Sequence, residues 1–297
     1  MSRAAILPAL FVAFAFSHPA AAERTVTIDG GDGSGCSSVN MYFGDRITAR
    51  GEETMAISRR DAKGLVLEGT RNGGVTVRGA DVGEFKVTAC TAAAGDDDAS
   101  ARAVLSRVVL RSSGGRVMIE GPSDGKRWTG FLIVTAPRDA DFSVEAGNGP
   151  VSLTGLAGAL SVKTANGPVS LSSLTGSVDV DAANGPVSLN GSSGDIRIHA
   201  VNGPLTIALA GMRWEGKGLE ADAENGPLTL KVPDGFSSGL RVETSSHAPL
   251  TCRAAACEGA RRQDGSRTRL LEIGGESATV RISTSNGPVS IVSASRS

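Results

Sequence analysis

Asn-Gly-Pro occurs six times in the chain, beginning at Asn148, Asn166, Asn184, Asn202, Asn225 and Asn286, and the first four copies are 18 residues apart. Each is followed by a short apolar-polar alternation, as in Val151-Ser152-Leu153, Val169-Ser170-Leu171, Val187-Ser188-Leu189 and Leu205-Thr206-Ile207. Similarity at a fixed short period marks a stacked architecture, in which one unit cannot bury its own apolar face and its neighbours complete the core. A second alternation precedes the next Asn, with Leu160 and Val162 inward and Ser161 and Lys163 outward, then Val178 and Val180, then Ile196 and Ile198. Leu156 and Leu174 add one apolar residue in the intervening turn. A period of two means half-buried strands. Each unit therefore reads as strand, Gly-containing turn, strand, corner.

The corner decides between an antiparallel meander of hairpins and a coil whose successive turns pair in parallel. Asn-Gly alone suggests a two-residue hairpin turn. The residue after such a turn donates its N–H to close it, and proline has none to donate. Proline fits the first residue of a strand at a solenoid corner. The expectation is an all-β, single parallel β-solenoid (β-helix) with rungs of about 18 residues, two strands per rung, and a less regular N-terminal half. Equivalent residues then stack roughly 4.8 Å apart. Asn148, Asn166, Asn184, Asn202, Asn225 and Asn286 are expected to form a corner ladder of side-chain amides.

Outward positions of the second strand read Asp179, Arg197, Glu220 and Arg241 in one column, and Lys163, Asp181, His199, Asp222 and Glu243 in the next. Opposite charges fall beside one another, as a parallel stack favours. Upstream, Asn72-Gly73-Gly74-Val75-Thr76-Val77 followed by Phe85-Lys86-Val87 reads as one further unit. Thr91 to Ser100, with its Asp96-Asp97-Asp98 run, reads as a solvated loop. The domain reading is residues 1–22 as a signal peptide, 23–140 as an irregular β region, and 141–297 as the regular repeat with an insertion at about 252–275.

The first 22 residues carry a basic start at Arg3, an apolar run from Ala4 to Phe16, and small residues at Ala20-Ala21-Ala22, the pattern of a secretory signal. The run is shorter than the roughly 20 apolar residues a membrane span takes, and no later stretch is apolar enough to span. Cys36, Cys90, Cys252 and Cys257 are an even set for an oxidising compartment and allow three disulfide connectivities. Proximity in sequence favours Cys252 with Cys257, which leaves Cys36 with Cys90. The expected location is periplasmic or extracellular, at the cell surface. A net charge of -1 with both signs interspersed argues against nucleic acid as a partner.

The stretch Val134-Thr135-Ala136-Pro137 to Val144, running into Ala146-Gly147-Asn148-Gly149-Pro150-Val151-Ser152-Leu153, resembles the toastrack-type adhesin-like family of bacterial domains, whose function is unknown. The resemblance covers most of the mature chain and is strongest from about residue 130 to 232. It implies a β-helical fold in a cell-envelope setting and carries over no catalytic residues.

Searching for chemistry yields little. His199 lies in a charged outward column and His247 at a corner that elsewhere holds Asn; no Ser-His-Asp set stands out. Gly30-Gly31-Asp32-Gly33-Ser34-Gly35 lacks the lysine and helix of a phosphate loop. Asp96-Asp97-Asp98 lacks the alternating ligands of a calcium loop. No cofactor or metal is called for. Asp179, Asp181, Glu220 and Asp222 share a face and raise the alternative of a polysaccharide-active β-helix enzyme. Arg197 and His199 between them favour a charge-balanced ladder, and two Trp, one Tyr and eight Phe leave few aromatic faces for sugars. Ser152, Ser170, Ser188, Thr206, Thr229, Thr251 and Ser290 form a hydroxyl column on the first strand, a candidate interaction face and a minor pointer to ice or surface binding. The column beside it, Thr154, Ser172, Asn190, Ala208 and Lys231, breaks that array.

The sequence thus reads as an exported, non-enzymatic β-solenoid acting as a structural or interaction module of the cell envelope. Its partner would be an unknown envelope protein or surface. Self-association is expected through a strand edge left open after Val289-Ser290-Ile291.

Overall fold

The computed structural model describes residues 24–28, 35–123, 127–274 and 277–294, the first of these segments by its backbone path. The proposed signal peptide, residues 1–22, lies outside the described residues, as does most of the Gly30 to Gly35 segment. Alternating strands must cover their apolar faces, and this chain does so by stacking. Among the described residues there is an eleven-stranded sheet, a twelve-stranded sheet and a two-stranded hairpin. The inward residues of the two large sheets form one apolar cluster. Strands that follow a corner, such as Val169–Ser172 and Val187–Asn190, lie in the eleven-stranded sheet. Strands that precede one, such as Ser177–Asn184 and Asp195–Asn202, lie in the twelve-stranded sheet.

Successive copies pair in parallel at equivalent positions. Val151, Val169, Val187 and Leu205 are register partners in sequence, as are Leu160, Val178, Ile196 and Leu219. Leu153, Leu171 and Leu189 interdigitate with these, all of them buried, with Leu156 and Leu174 closing the core at the intervening turn. A Leu-to-Ala change at such a site costs about 2–5 kcal/mol, because both the transfer energy and a residual cavity count against it.

The corner explains why all three of its residues recur. Gly167, Gly185, Gly203 and Gly226 have φ of 142°, 122°, 139° and 140°, a region open to glycine alone. A Cβ on Gly185 would stand 2.4 Å from the carbonyl oxygen of Gly167 in the unit below, so the stacked corners also approach too closely for a side chain. Each corner Gly N–H donates to the Asn carbonyl of the next unit, at 3.0 Å from Gly167 to Asn184 and 2.8 Å from Gly185 to Asn202. Each Pro carbonyl accepts from the residue after Pro in the preceding unit, as in Val169 to Pro186 at 2.9 Å. The missing proline N–H leaves no donor orphaned.

Three expectations are corrected. First, the stack does not follow chain order at its C-terminal end. Strand Ala278–Asn286 inserts between Gly218–Asn225 and Gly239–Ser245, and Val289–Ser293 between Leu228–Val232 and Leu250–Cys252. Glu220 therefore meets Arg281, and Arg281 meets Arg241, so the Asp179-Arg197-Glu220-Arg241 column contains a residue not expected there. The strand Val289–Ser293 is paired on both sides and leaves no open edge. The terminal strands are instead Leu250–Cys252 in one sheet and the fully exposed Arg261–Asp264 in the other. The intervening segment is folded back by the Cys252–Cys257 disulfide and by antiparallel pairing of Arg261–Asp264 with Thr268–Ile273.

Second, Phe85-Lys86-Val87 is not the second strand of the Asn72 unit. It belongs to Glu84–Gly95, which runs antiparallel to Ile47–Ser58 and Trp128–Pro137 in the eleven-stranded sheet. The strand that stacks beneath Asp141–Ala146 is Gly64–Glu68, upstream of the Asn72 corner, and Val75–Ala80 follows that corner. Long antiparallel strands thus close the N-terminal end. Third, Thr91 to Ser100 is not a solvated loop: its first half is the buried end of strand Glu84–Gly95, and Asp98–Leu105 is an α-helix packed on this end. Asp97 caps it, accepting from the Ser100 N–H at 2.7 Å while Ser100 Oγ accepts from the Asp97 N–H at 3.1 Å. These bonds hold the Asp97 carboxyl below the usual carboxylate range. The hairpin of Arg24–Ile28 and Val39–Phe43 lays Val39, Met41 and Phe43 over Phe131 and Ile133, and Cys36–Cys90 ties it there.

Two outcomes check this architecture. Gly185→Ala is expected to cost about 1–3 kcal/mol, read as a lowered urea midpoint, since neither the φ nor the space tolerates a Cβ. Removing residues 277–297 is expected to expose Leu240 and Val242 and make residues 233–274 protease-sensitive while the preceding repeats resist. Unchanged digestion would show that the C-terminal repeat is not intercalated.

Candidate functional site

Among the described residues the inward apolar positions of the repeats are buried in the core, which leaves their outward columns and corners to meet a partner. On the eleven-stranded sheet Ser152, Ser170, Ser188, Thr206 and Thr229 are consecutive register partners, and Ser290 and Thr251 continue the column. Thr76 extends it at the other end. All are half-buried or exposed. Ser170 and Ser188 share a hydroxyl hydrogen bond of 3.2 Å. The column beside it runs through Thr154, Ser172, Asn190, Ala208 and Lys231, so the hydroxyl lattice is one column wide.

At the corners the Asn side chains are joined end to end. Asn148 Nδ2 donates to Asn72 Oδ1 at 2.8 Å, Asn166 to Asn148 at 2.9 Å, Asn184 to Asn166 at 3.0 Å and Asn202 to Asn184 at 3.1 Å. Asn225 donates to Asn202 at 3.2 Å and Asn286 to Asn225 at 3.1 Å. Each amide within the row uses one donor and one acceptor axially, which an ionised carboxylate, having no donor, could not repeat along a stack. Asn72 joins this row although its corner reads Asn-Gly-Gly. His247 stands outside it, bonded at Nδ1 to the Ser246 hydroxyl at 3.3 Å.

The twelve-stranded sheet carries the charge. Asp179, Asp181, Glu220 and Asp222 share its outward wall but do not converge on a cleft. Glu220 pairs with Arg197 at 3.9 Å, and Asp222 lies 3.5 Å from His199 Nδ1 and accepts from the Ser283 hydroxyl. His199 Nε2 lies 3.5 Å from Glu224. Arg241 pairs with Glu243 at 3.7 Å and Glu272 at 3.6 Å. A shallow depression of about 550 Å³ lies over Glu68, Glu145, Lys163 and Asp181, and Glu68 is itself bonded to Arg116. Among the described residues no three His, Cys, Asp or Glu side chains are grouped to hold a metal, and no helix is long and apolar enough to cross a membrane. All four cysteines are in disulfides. The repeat spacing does not place Arg281 in this column, because its strand is distant in sequence from both neighbours.

The family model described as Toastrack DUF4097 matches residues 21–292. No curated protein matches the chain. Among solved structures, a "putative adhesin" from Bacteroides fragilis is similar at 11% identity and a TM-score of 0.39, over 82% of this chain and 97% of its own. A "putative cell adhesion protein" from Clostridium sporogenes is similar at 10% identity and a TM-score of 0.31, over 82% and 98%. A "putative lipid binding protein" from Parabacteroides distasonis is similar at 13% identity and a TM-score of 0.22, over 82% and 97%. At such scores the likeness transfers nothing about ligands.

The ladder generates a pH test. In Asn184→Asp the carboxylate cannot donate to Asn166 Oδ1, so stability is expected to fall by about 1 kcal/mol at neutral pH. Protonation restores a donor, so the folded state raises this carboxyl's pKa. The loss relative to the parent chain should therefore be full above that raised value, shrink as pH falls through it, and be smallest below the ordinary value of about 4. A pH-independent difference in urea unfolding would contradict the axial bond.

Proposed function

The chain belongs to the Toastrack DUF4097 family, and we propose that it serves as an exported, non-enzymatic interaction module of the cell envelope. In this reading the two sheets are the walls of a β-solenoid with rungs of about 18 residues, two strands each, from residue 141 onward, and residues 23–140 form its irregular beginning. Residues 1–22 act as the export signal, and the compartment is periplasmic or cell-surface, where the two disulfides persist.

The observation that carries this reading is the hydroxyl column, with Ser152, Ser170, Ser188, Thr206 and Thr229 in register on a wall of parallel hydrogen-bonded strands. Ser and Thr each offer a donor and acceptors, and their spacing of roughly 4.8 Å repeats along the axis. Such a surface suits an extended polar partner, an envelope protein or surface, bound by many weak contacts. The terminal strands Leu250–Cys252 and Arg261–Asp264 offer self-association by strand addition, which the charged Arg261-Arg262 pair opposes.

Retention of the protein on envelope fractions tests the assignment. Replacing Ser170 and Thr206, which are not adjacent in the column, by Lys is expected to abolish most retention with little shift in the melting temperature, whereas Asp179→Asn with Asp181→Asn should leave it intact. The reverse pattern would move the working surface to the carboxylates.

A further inference from the structure

The inserted C-terminal repeat creates a feature on the wall opposite the hydroxyl column. Arg197, Glu220, Arg281, Arg241, Glu272 and Arg261 stand side by side on six neighbouring strands, all facing outward. Opposite charges alternate along this row except where Arg281 and Arg241 are direct neighbours. Like charges at that separation repel unless something neutralises them. The acids nearby are already engaged. Glu272 bridges Arg241 at 3.6 Å and Arg261 at 3.5 Å, Asp195 bridges Arg197 at 3.7 Å and Lys217 at 3.5 Å, and Glu220 takes Arg197. Arg281 is exposed and has no ion pair among the described residues. It separates two shallow depressions that together run along the row. One of about 270 Å³ includes Arg197, Lys217 and Glu220, and one of about 160 Å³ includes Arg241, Arg261 and Glu272. More positive charge lies near Arg261: residues 252–269 hold four further arginines, Arg253, Arg262, Arg267 and Arg269, against two acids, Glu258 and Asp264.

We propose that this row binds a linear polysaccharide bearing uronic-acid carboxylates, laid across the strands with one carboxylate between Arg281 and Arg241. Guanidinium forks match carboxylates in bidentate fashion, and every cation of the row except Lys217 is an arginine. Strand spacing of roughly 4.8 Å is close to the length of one sugar ring with its linkage. Glu220 and Glu272 within the row disfavour a densely charged chain such as nucleic acid, and suit one whose charges are diluted by hydroxyls. No aromatic side chain lines the row, so recognition depends on charge. This site is independent of the hydroxyl wall.

Calorimetric titration of the full chain with a galacturonic acid oligomer, its neutral methyl ester and single-stranded DNA of equal length decides the matter. The acid oligomer is expected to bind and the ester not, with binding lost at about 0.5 M NaCl. Arg281→Gln should weaken binding about five-fold with an unchanged melting temperature. Arg281→Lys should recover part of the loss, and Lys231→Gln, on the opposite wall, should have no effect. Equal binding of acid and ester, undiminished binding by Arg281→Gln, or tighter binding of DNA would each overturn the proposal.

Discussion

The corner-to-corner hydrogen bond is the constraint on which the structure rests. Because the N–H groups of Gly167, Gly185, Gly203 and Gly226 reach the Asn carbonyl of the next unit, and each Pro carbonyl receives a bond from the unit before, the repeats cannot slide without breaking several corners at once. A slip by one residue would turn every Val and Leu of a strand outward. Glycine supplies a φ that other residues cannot hold and the absence of a Cβ where stacked corners nearly touch. Proline contributes by lacking a donor at the one place where none could be satisfied. The Asn ladder adds a side-chain copy of the same axial bonding.

A stack held this way has ends, and the chain closes them with non-repetitive structure. At one end long antiparallel strands and the helix Asp98–Leu105 adjoin the stacked strands, and the Glu53 carboxylate accepts from the Leu110 N–H at 2.9 Å on the edge strand Val109–Ser113. The Cys36–Cys90 bond holds a hairpin over apolar residues that face away from the main core. At the other end a disulfide-clipped segment with exposed arginines forms the boundary. Edges left open would recruit other chains, and helix, carboxylate, disulfide and charge each limit that here.

The asymmetry of the two walls follows from which strand each outward position falls on. The first outward position after Pro carries Ser or Thr, and outward positions before Asn carry mostly Asp, Glu, Lys, Arg or His, so one wall bears a hydroxyl column and the other most of the charge. Those columns can be written down from the repeat because parallel stacking pairs equivalent residues. Beyond the repeat the sequence is a poorer guide. Phe85-Lys86-Val87 has the right alternation for the strand of a rung and forms an antiparallel one, since alternation reports a buried face and not a partner. The capping box at Asp97 and Ser100 is visible as a local pattern, yet the acidic run around it reads more simply as loop.

The chain's local chemistry alone determined its all-β character, its parallel corners and the pairs of residues that stack through the regular repeats, because each depends on neighbours within one period. What only the tertiary structure decided is order and adjacency at the ends. Strand Ala278–Asn286 enters the sheet ahead of Gly239–Ser245, and with it Arg281 comes to lie between Glu220 and Arg241. Sequence similarity between rungs makes several orders nearly equivalent in backbone pairing. The choice among them lies with long-range contacts, the chain closure imposed by the Cys252–Cys257 clip and the burial of Leu271 and Ile273, which no local pattern encodes.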